Sequence, residues 1–319
     1  MGNISLGRLA RLAGVSKTTA SLILNGKWER YKISSVTKER VIKVAEEQGY
    51  KPNVLARNLS TGKSMIVGVI VPTLKSYEHS IFAELVEKEL IEKGYHTTIG
   101  LTDNDEKIAG RLTEEMTERK VDGILAAGCV MPAKISDDIP YVFTGEGEDG
   151  VSSVLTDADA GVKKLIGYWY PRGKRTIGYA GLKNGDEFLQ KSFRENYIER
   201  FSMKDDRIFL LDAVDDAEKM KKVLKALSNK GVNAVLFENP DLIFTALKVL
   251  KEHGTAGFEE MSFGSYGYSP FFDVAVKDIV CIKKPMEAMV KDAVAVLLEK
   301  MHDKKGEVGQ RLHEPELLF

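Results

Sequence analysis

The chain has 319 residues, of which 43% are hydrophobic and 29% charged, a composition typical of a globular protein with two or three domains. Its most apolar run, "MIVGVIV", has seven residues, too few to span a bilayer, and no signal peptide is recognisable, so no membrane association is expected. Its two distant cysteines fit neither a disulfide framework nor a zinc motif, so the expected location is the reducing cytoplasm.

The net charge of −1 conceals an uneven distribution along the chain. Residues 1–64 contain 12 basic and 4 acidic residues, whereas the rest of the chain contains 34 basic and 43 acidic residues. A small basic segment attached to a larger acidic body is typical of a nucleic-acid-binding protein with a regulatory part. Chance clustering of charge on a solvated surface is the alternative.

The start of the chain predicts two short helices joined by a tight turn. Residues 4–12 carry apolar side chains at helical spacing, Gly14 tolerates a positive φ, and Ser16 is a good N-cap for a second helix. The second helix is expected to stop at Asn25 and Gly26. In a helix-turn-helix of this kind, the first turn of the second helix enters the major groove of DNA. An ordinary helical hairpin with a polar surface is the alternative.

The candidate residues for reading bases lie at the start of the second helix. Lys17 can donate to guanine, while Thr18 and Thr19 can hydrogen-bond a base or contact a thymine methyl group. The following segment "KWERYKIS" contains Lys27 and Tyr31, which suit contact with backbone phosphates. For Tyr31, as for Trp28, packing of the loop onto a third helix is an equally good interpretation.

That third helix is expected to begin at Ser34 or Ser35 and to end at Gly49. Its predicted apolar stripe consists of Val36, Val41, Ile42, Val44 and Ala45. Beyond it, Pro52 can start a helix of about two turns, which is too short to be stable unless DNA and a second copy hold it. Leu55 and Leu59 lie one turn apart on this helix, and an exposed leucine there could wedge between base steps in the minor groove. A plain linker, with both leucines packed on the body, is the alternative.

From residue 65 onwards the pattern alternates between strand and helix. Runs such as "MIVGVIV", "VDGILAA", "RTIGYAG" and "NAVLFE" predict buried strands, and the amphipathic stretches between them predict helices. This alternation predicts two α/β lobes with parallel sheets and a cleft between them, where ligands bind at the carboxyl ends of the strands. The second series is expected to begin near residue 158 and to be completed by a helix over residues 285–302.

No catalytic, metal or cofactor site is expected. Gly145, Gly147 and Gly150 form a GxGxxG pattern, but the following "VSSVLTD" predicts a strand, whereas a dinucleotide site needs the N-terminus of a helix there. The five histidines show no metal-binding spacing, and no nucleophile motif is present.

The stretches "LARLAGVSKTTASLILNG" and "YKPNVLARNLSTGKSMIVGVIVP" resemble the LacI/GalR family of bacterial transcription regulators. The segment "KTTASLILNGKWERYKIS" is most similar to the fructose- and sucrose-repressor branch. The resemblance implies an all-α helix-turn-helix domain over residues 1–51, a hinge helix and linker over 52–64, and a periplasmic-binding-protein-like core over 65–319. It also implies a homodimer that binds a palindromic DNA operator and responds to a small-molecule effector.

The family positions assign roles to individual residues of the head. Lys17, Thr18 and Leu22 take the base-reading places, and Leu59 takes that of the minor-groove wedge. The remaining DNA-contacting places that the resemblance implies fall on Ser16, Ser21, Asn25 and Asn53. Arg57 is a further candidate for DNA contact. Leu22 cannot hydrogen-bond a base, so any sequence preference there must be apolar or read from DNA shape.

The effector positions depart from the sugar-binding pattern of the family. The candidate effector-binding residues are Leu74, Lys75, Gly145, Gln190, Lys191, Asn239, Ser265 and Lys284. Gly145, or Thr144 if the register slips, and Ser265 stand where carboxylates are usual. Gln190 or Lys191 stands where an arginine is usual, and Lys284 where a glutamine is usual. Among these residues Asn239 fits its position.

The hypothesis from these departures is that the effector is not an ordinary neutral sugar. An anionic metabolite bound by Lys191 and Lys284, a partner protein, or no effector at all would each fit. The alternative is that the alignment slips and that a sugar is held by Glu238, Asn239, Lys75 or His79.

The sequence thus predicts a DNA-binding transcription regulator, most simply a repressor. The rival from another class is a cytoplasmic small-molecule-binding protein that uses the same two-lobed body, and the basic head argues against it. An enzyme is not supported by any constellation of residues.

Overall fold

The computed structural model describes residues 4–50, 62–128, 131–136, 138–145, 151–212, 214–254, 258–275, 277–303 and 309–319. The chain divides into two compact units, Met1–Ser64, called the head, and Met65–Phe319, called the body. The predictions for Asn53, Leu55, Arg57 and Leu59 fall outside the described residues, as do those for Gly147 and Gly150.

Three helices form the head: α1 (Leu6–Leu12), α2 (Lys17–Leu24) and α3 (Ser35–Glu47). Each begins at a serine N-cap, namely Ser5, Ser16 and Ser34, whose side chain accepts a backbone N–H of the first turn. Gly14 makes the turn between α1 and α2 with a φ of +63°.

The centre of the head is built from small and branched side chains. Leu9, Ala20 and Val41 are fully buried, one from each helix, and the small Ala20 lets α2 approach the other two closely. One expectation is wrong: Val36, placed in the apolar stripe of the third helix, is 70% exposed because it lies on the outer side of α3.

The segment between α2 and α3 separates its two aromatic residues. Trp28 packs against the head core, and the ammonium of Lys38 on α3 lies 4.6 Å from its ring centroid. Tyr31 is 55% exposed. Packing onto α3 therefore accounts for Trp28, and Tyr31 remains open to solvent.

The first lobe of the body is a six-stranded parallel sheet in the order β11-β5-β4-β3-β1-β2. Its strands are β1 (Ile66–Val71), β2 (His96–Leu101), β3 (Gly123–Ala127), β4 (Tyr141–Thr144), β5 (Ser152–Thr156) and β11 (Gln310–His313). Its helices are α4 (Tyr77–Ile91), α5 (Glu106–Glu118) and α10 (Met286–His302). Helices cover both faces, so the inner strands are buried along nearly their whole length.

The second lobe is a six-stranded sheet in the order β12-β10-β9-β8-β6-β7, parallel except for β12. Its strands are β6 (Ile177–Leu182), β7 (Ile208–Leu211), β8 (Ala234–Phe237), β9 (Ser262–Tyr266), β10 (Ile279–Lys283) and β12 (Glu316–Leu318). Its helices are α6 (Ala158–Trp169), α7 (Glu187–Phe193), α8 (Ala217–Asn229) and α9 (Pro240–His253). Short 3-10 helices span Tyr170–Arg172, Asp205–Arg207 and Pro270–Val274, and a π-helix, Arg194–Glu199, extends α7.

The chain crosses between the lobes three times, and this corrects the expected order. The helix expected to complete the second series, α10, packs instead on the first sheet through Met289, Val290 and Leu297. The last residues form β11 in the first sheet and β12 in the second. The crossings lie between β5 and α6, between β10 and α10, and between β11 and β12.

The predicted fold class is confirmed: an all-α helix-turn-helix head and a body of two α/β lobes of the periplasmic-binding-protein type. Within the described residues, no helix combines the length and apolar character needed to cross a membrane.

Packing between α6 and the second sheet predicts that alanine will change the free energy of unfolding in opposite directions at two glycines. A Cβ at Gly264 on β9 would lie 2.5 Å from the Trp169 ring, so Gly264→Ala should lower the free energy of unfolding by about 1–3 kcal/mol. Gly167 on α6 is exposed with no atom within 4 Å of such a Cβ, so Gly167→Ala should raise it by about 0.5–1 kcal/mol. Urea unfolding of the two variants checks this, and equal effects would contradict the packing described.

Candidate nucleic-acid interface and effector cavity

The first turn of α2 presents the residues predicted to read bases. Lys17 and Thr18 are exposed, and no hydrogen bond or ion pair of either side chain occurs among the described residues of the head. Ser16 and Thr19 share a hydrogen bond of 2.8 Å between their hydroxyls, and Ser16 also caps the helix. The local structure therefore holds Ser16 and Thr19 in place and leaves Lys17 and Thr18 available to a ligand.

The rest of the predicted reading surface continues along α2 and into the next loop. Asn25 donates to the backbone carbonyl of Ser21 at 2.9 Å and closes the end of the helix. Leu22 is half-buried on the same helix, and Lys27 and Tyr31 are exposed in the loop that follows. All nine described candidates of the head thus lie in α2 or directly beside it, namely Ser16, Lys17, Thr18, Thr19, Ser21, Leu22, Asn25, Lys27 and Tyr31.

The head carries positive charge that its own carboxylates do not neutralise. Within residues 4–50 a single salt bridge is formed, between Lys43 and Glu47 at 4.0 Å, and both side chains are exposed. Because exposed pairs of this kind contribute little, the basic surface remains free to attract polyanions. An exposed helix N-terminus on a basic surface can contact both phosphates and base edges of DNA.

A second candidate site is a cavity of about 400 Å³ between the two lobes of the body. It lies at the carboxyl ends of β3, β4 and β5 and at the first turns of α4, α6 and α7. Its walls are largely apolar and include Phe82, Leu155, Phe188, Met286 and Met289. The size and position are those of a site for a small organic molecule.

Three of the eight predicted effector residues line this cavity: Gly145, Lys191 and Lys284. The other five lie elsewhere. Leu74 and Lys75 are exposed in the loop before α4, and Gln190 on α7 is absent from the cavity wall. Asn239 caps α9 by accepting from Leu242 N at 3.0 Å, and Ser265 is fully buried within β9.

The two lysines of the cavity each have a carboxylate partner. The Lys284 ammonium lies 3.0 Å from Glu78 Oε2 and 4.7 Å from the ring centroid of Tyr266. Lys191 lies 3.9 Å from Glu195, and both of these side chains are more than half exposed. The hypothesis of an anionic effector bound by Lys191 and Lys284 therefore loses its main support, because Lys284 is already neutralised in the cavity.

Sequence reasoning missed most of the polar lining, which is acidic. Asp157 and Asp186 line the cavity as the N-caps of α6 and α7. Asp159 lines it as well, and Lys163 and Asn196 donate to its carboxylate, which holds its pKa below the usual range. The available signal was Asp157, which directly follows β5 at the end of a strand, where ligands of α/β folds bind.

The alternative sugar ligands Glu238 and Asn239 are used by the fold itself. The Glu238 carboxylate accepts from Tyr179 Oη at 3.0 Å and from Leu182 N at 2.9 Å, and burial raises its pKa. These contacts fasten the loop between β6 and α7, so the carboxylate is occupied.

His79 is the neutral member of the cavity wall. Burial, together with the nearby Lys284 charge, lowers the pKa of His79 to about 4, so the imidazole is uncharged at neutral pH. A Cβ at Gly128 would lie 2.7 Å from its Nε2, which shows how closely the ring packs against the end of β3.

This histidine predicts an acid sensitivity of the body. Its pKa is about 6.5 in the unfolded chain and about 4 in the folded chain, so the unfolded state binds the proton first as pH falls. The body should lose about 3 kcal/mol of unfolding free energy between pH 6.5 and pH 4 through this residue. His79→Gln should remove that part of the pH dependence in urea unfolding. His96→Gln, which changes an exposed histidine on β2, should retain it, and equal slopes for the two variants would refute the assignment.

Comparison with known proteins relates both units to one group of regulators. Residues 6–53 match the family model described as "Bacterial regulatory proteins, lacI family". The sucrose operon repressor of Klebsiella pneumoniae is 31% identical over 184 residues, covering 56% of this chain and 55% of the relative. The fructose operon regulatory protein of Vibrio cholerae is 35% identical over 130 residues, which cover 41% of this chain and 40% of that protein. The chain thus spans about half the length of the curated relatives it matches, and the expected similarity to this branch is confirmed.

Among solved structures, a lac repressor dimer bound to operator and the anti-inducer ONPF aligns with a TM-score of 0.82 at 17% identity. The alignment covers 100% of this chain and 98% of that one, and at this identity it establishes the fold. The chain therefore carries, at its N-terminus, a helix-turn-helix domain of the lacI family of bacterial regulatory proteins, on a body with the two-lobed fold of the lac repressor.

Proposed function

We propose that this protein is a sequence-specific DNA-binding transcription regulator, most simply a repressor, that acts as a homodimer in the cytoplasm. A small molecule bound in the cavity of the body modulates its affinity for the operator. The observation that carries the proposal is the exposed first turn of α2, with Lys17 and Thr18 available on a basic head. The proposal assigns no catalytic reaction to the chain.

The head supports reading of the major groove. Lys17 and Thr18 are the side chains that can donate to guanine or approach a thymine methyl group, and Leu22, one turn further along α2, offers an apolar contact. Exposed Lys27 and Tyr31 in the following loop suit phosphate contacts, which position the helix on the duplex. Asn53, Arg57 and Leu59 remain proposals for the segment that joins head and body.

A homodimer is proposed because one helix-turn-helix covers only a half-site, whereas a palindrome has the two-fold symmetry of a dimer. The body supports this with apolar side chains along one edge of the first sheet. Ile99 and Leu101 on the edge strand β2 are 46% and 43% exposed, and Ile91 at the end of α4 is 53% exposed. Ile99 pairs in register with buried Val69, so these side chains extend the core of the first lobe toward a second copy.

The effector would act by shifting populations. A ligand that contacts both lobes favours the arrangement of the lobes that it binds best, and dimer geometry changes with it. A cytoplasmic binding protein that uses this body without reading DNA is the alternative, and the basic head disfavours it.

The proposal predicts the outcome of selecting bound duplexes from a random DNA library with the full chain at about 0.15 M salt. Wild-type protein should enrich a palindrome. Lys17→Ala should bind that palindrome about tenfold or more weakly and lose preference at one base pair of each half-site, since a good base contact contributes about 1–3 kcal/mol. Lys43→Ala, which removes an exposed lysine of α3 paired with Glu47, is the matched control and should enrich the wild-type palindrome. An absence of enrichment with the wild type, or a Lys17→Ala variant with unchanged preference, contradicts the proposal.

The dimer interface predicts a change of mass in solution. Leu101→Glu places a charge on the apolar edge of β2 and should shift sedimentation velocity profiles toward the monomer. Leu312→Glu introduces the same change at a 61% exposed leucine on β11, the opposite edge of the sheet, and should remain dimeric. If the Leu101→Glu chain sediments like the wild type, this edge is not the interface.

A further inference from the structure

We propose that the cavity of the body binds a small organic cation, with an amine or amidine head group and an apolar body, and not an anion or a plain sugar. This inference takes the effector cavity of the proposed function and assigns the chemical class of its ligand. It rests on the charges, walls and internal contacts of the described lining.

The lining carries an excess of negative charge. Its described residues include five carboxylates, Glu78, Asp157, Asp159, Asp186 and Glu195, against two lysines, Lys191 and Lys284. Glu78, Glu195 and Asp159 are each paired with a lysine, so the excess lies on Asp157 and Asp186, which form no ion pair among the described residues. The one histidine of the lining, His79, is neutral at pH 7. In a cleft of low dielectric this excess attracts a cation and repels phosphates, sulfates and carboxylates.

Two of these carboxylates are held by backbone contacts that leave capacity for a ligand. Oδ1 of Asp157 accepts from Ala160 N, and Oδ1 of Asp186 accepts from Leu189 N, each at 2.8 Å. A carboxylate can accept at both of its oxygens, so a single cap does not exhaust it. Burial raises the pKa of the Tyr266 hydroxyl well above its ordinary value, and the charges of Asp186, Glu78 and Asp157 contribute to this rise. All three acids line the same cavity as Tyr266.

The cavity already holds one ammonium in this manner. The Lys284 side chain lies between Glu78, at 3.0 Å, and the face of the Tyr266 ring, at 4.7 Å from its centroid. A carboxylate and an aromatic face together form the environment that stabilises an ammonium group in a desolvated site. The Lys284 ammonium thus shows the kind of contacts that the head group of the ligand would make in this cavity.

The remaining walls suit the body of such a ligand. Phe82, Phe188, Leu155, Met286 and Met289 form an apolar surface larger than the polar one. A fully hydroxylated sugar would leave many of its hydroxyl groups against these side chains without hydrogen-bond partners. An alkyl, cyclohexyl or aryl body would instead bury apolar area against them.

The test is calorimetric titration of the full chain with a panel of primary amines that carry alkyl, cyclohexyl and aryl bodies. Each amine is compared with the alcohol and the carboxylate of the same carbon frame, and fructose and sucrose are included. We expect saturable binding by amines, with the matched carboxylate at least about tenfold weaker. Binding of carboxylates or neutral sugars in preference to every amine, or of no member of the panel, overturns the inference.

Variants of the cavity residues test the role of their charges, whichever carbon frame the bound amine carries. Asp157→Asn and Asp186→Asn retain an N-cap side chain and lose only the charge, so each should fold and weaken amine binding about tenfold or more. Asp216→Asn changes the equivalent cap of α8, outside the cavity lining, and should leave binding unchanged. Lys284→Gln removes the internal ammonium and should strengthen amine binding, whereas a site for anions would be weakened by it.

The two proposals fail separately. Selection of a palindrome together with no amine binding overturns the ligand class and leaves the regulator. Amine binding without any selected DNA sequence overturns the proposed regulator and leaves the ligand class.

Discussion

The body depends on one topological constraint, the three crossings of the chain between its sheets. Each crossing leaves one lobe at the end of a strand and enters the other, so the carboxyl ends of both sheets border the same space. Asp157 lies in the first crossing and Lys284 in the second, and both line the cavity. A lobe therefore cannot shift without moving the residues that line the cavity, which is the coupling that an effector needs.

The cavity follows from that constraint, and its chemistry follows from local structure. Aspartates are favoured at N-caps because they satisfy backbone N–H groups and oppose the helix dipole. Two such caps, Asp157 and Asp186, line the cavity between the lobes. The same aspartates that cap α6 and α7 therefore also give the cavity its negative charge. The ion pair of Lys284 and Glu78 neutralises the buried lysine there.

The head was predictable nearly residue by residue, because local rules determine it. Gly14 and Ser16 mark a turn and a cap, and the structure has both. Val36 was misplaced because helical spacing alone cannot tell which side of a helix meets its neighbours. In the body the strands were predictable from their apolar runs, whereas the destination of α10 was not, since both sheets offer an apolar face and only long-range packing selects one.

The cavity was the least predictable part, for a related reason. Its lining comes from the ends of elements far apart in sequence, and family positions identified Gly145, Lys191 and Lys284 but not the aspartates around them. The pairing of Lys284 with Glu78 joins residues 206 positions apart, and no local pattern encodes it.

The central claim is that two heads of this protein read one two-fold DNA site. The most direct measurement compares the affinity of the full chain for the selected palindrome with its affinity for a duplex that contains one half-site, by fluorescence anisotropy at fixed salt. The account predicts two chains on each palindrome and an affinity at least about 100-fold higher than for the half-site, because the second head binds at a high effective concentration. Equal affinities, with one chain on each duplex, would contradict it.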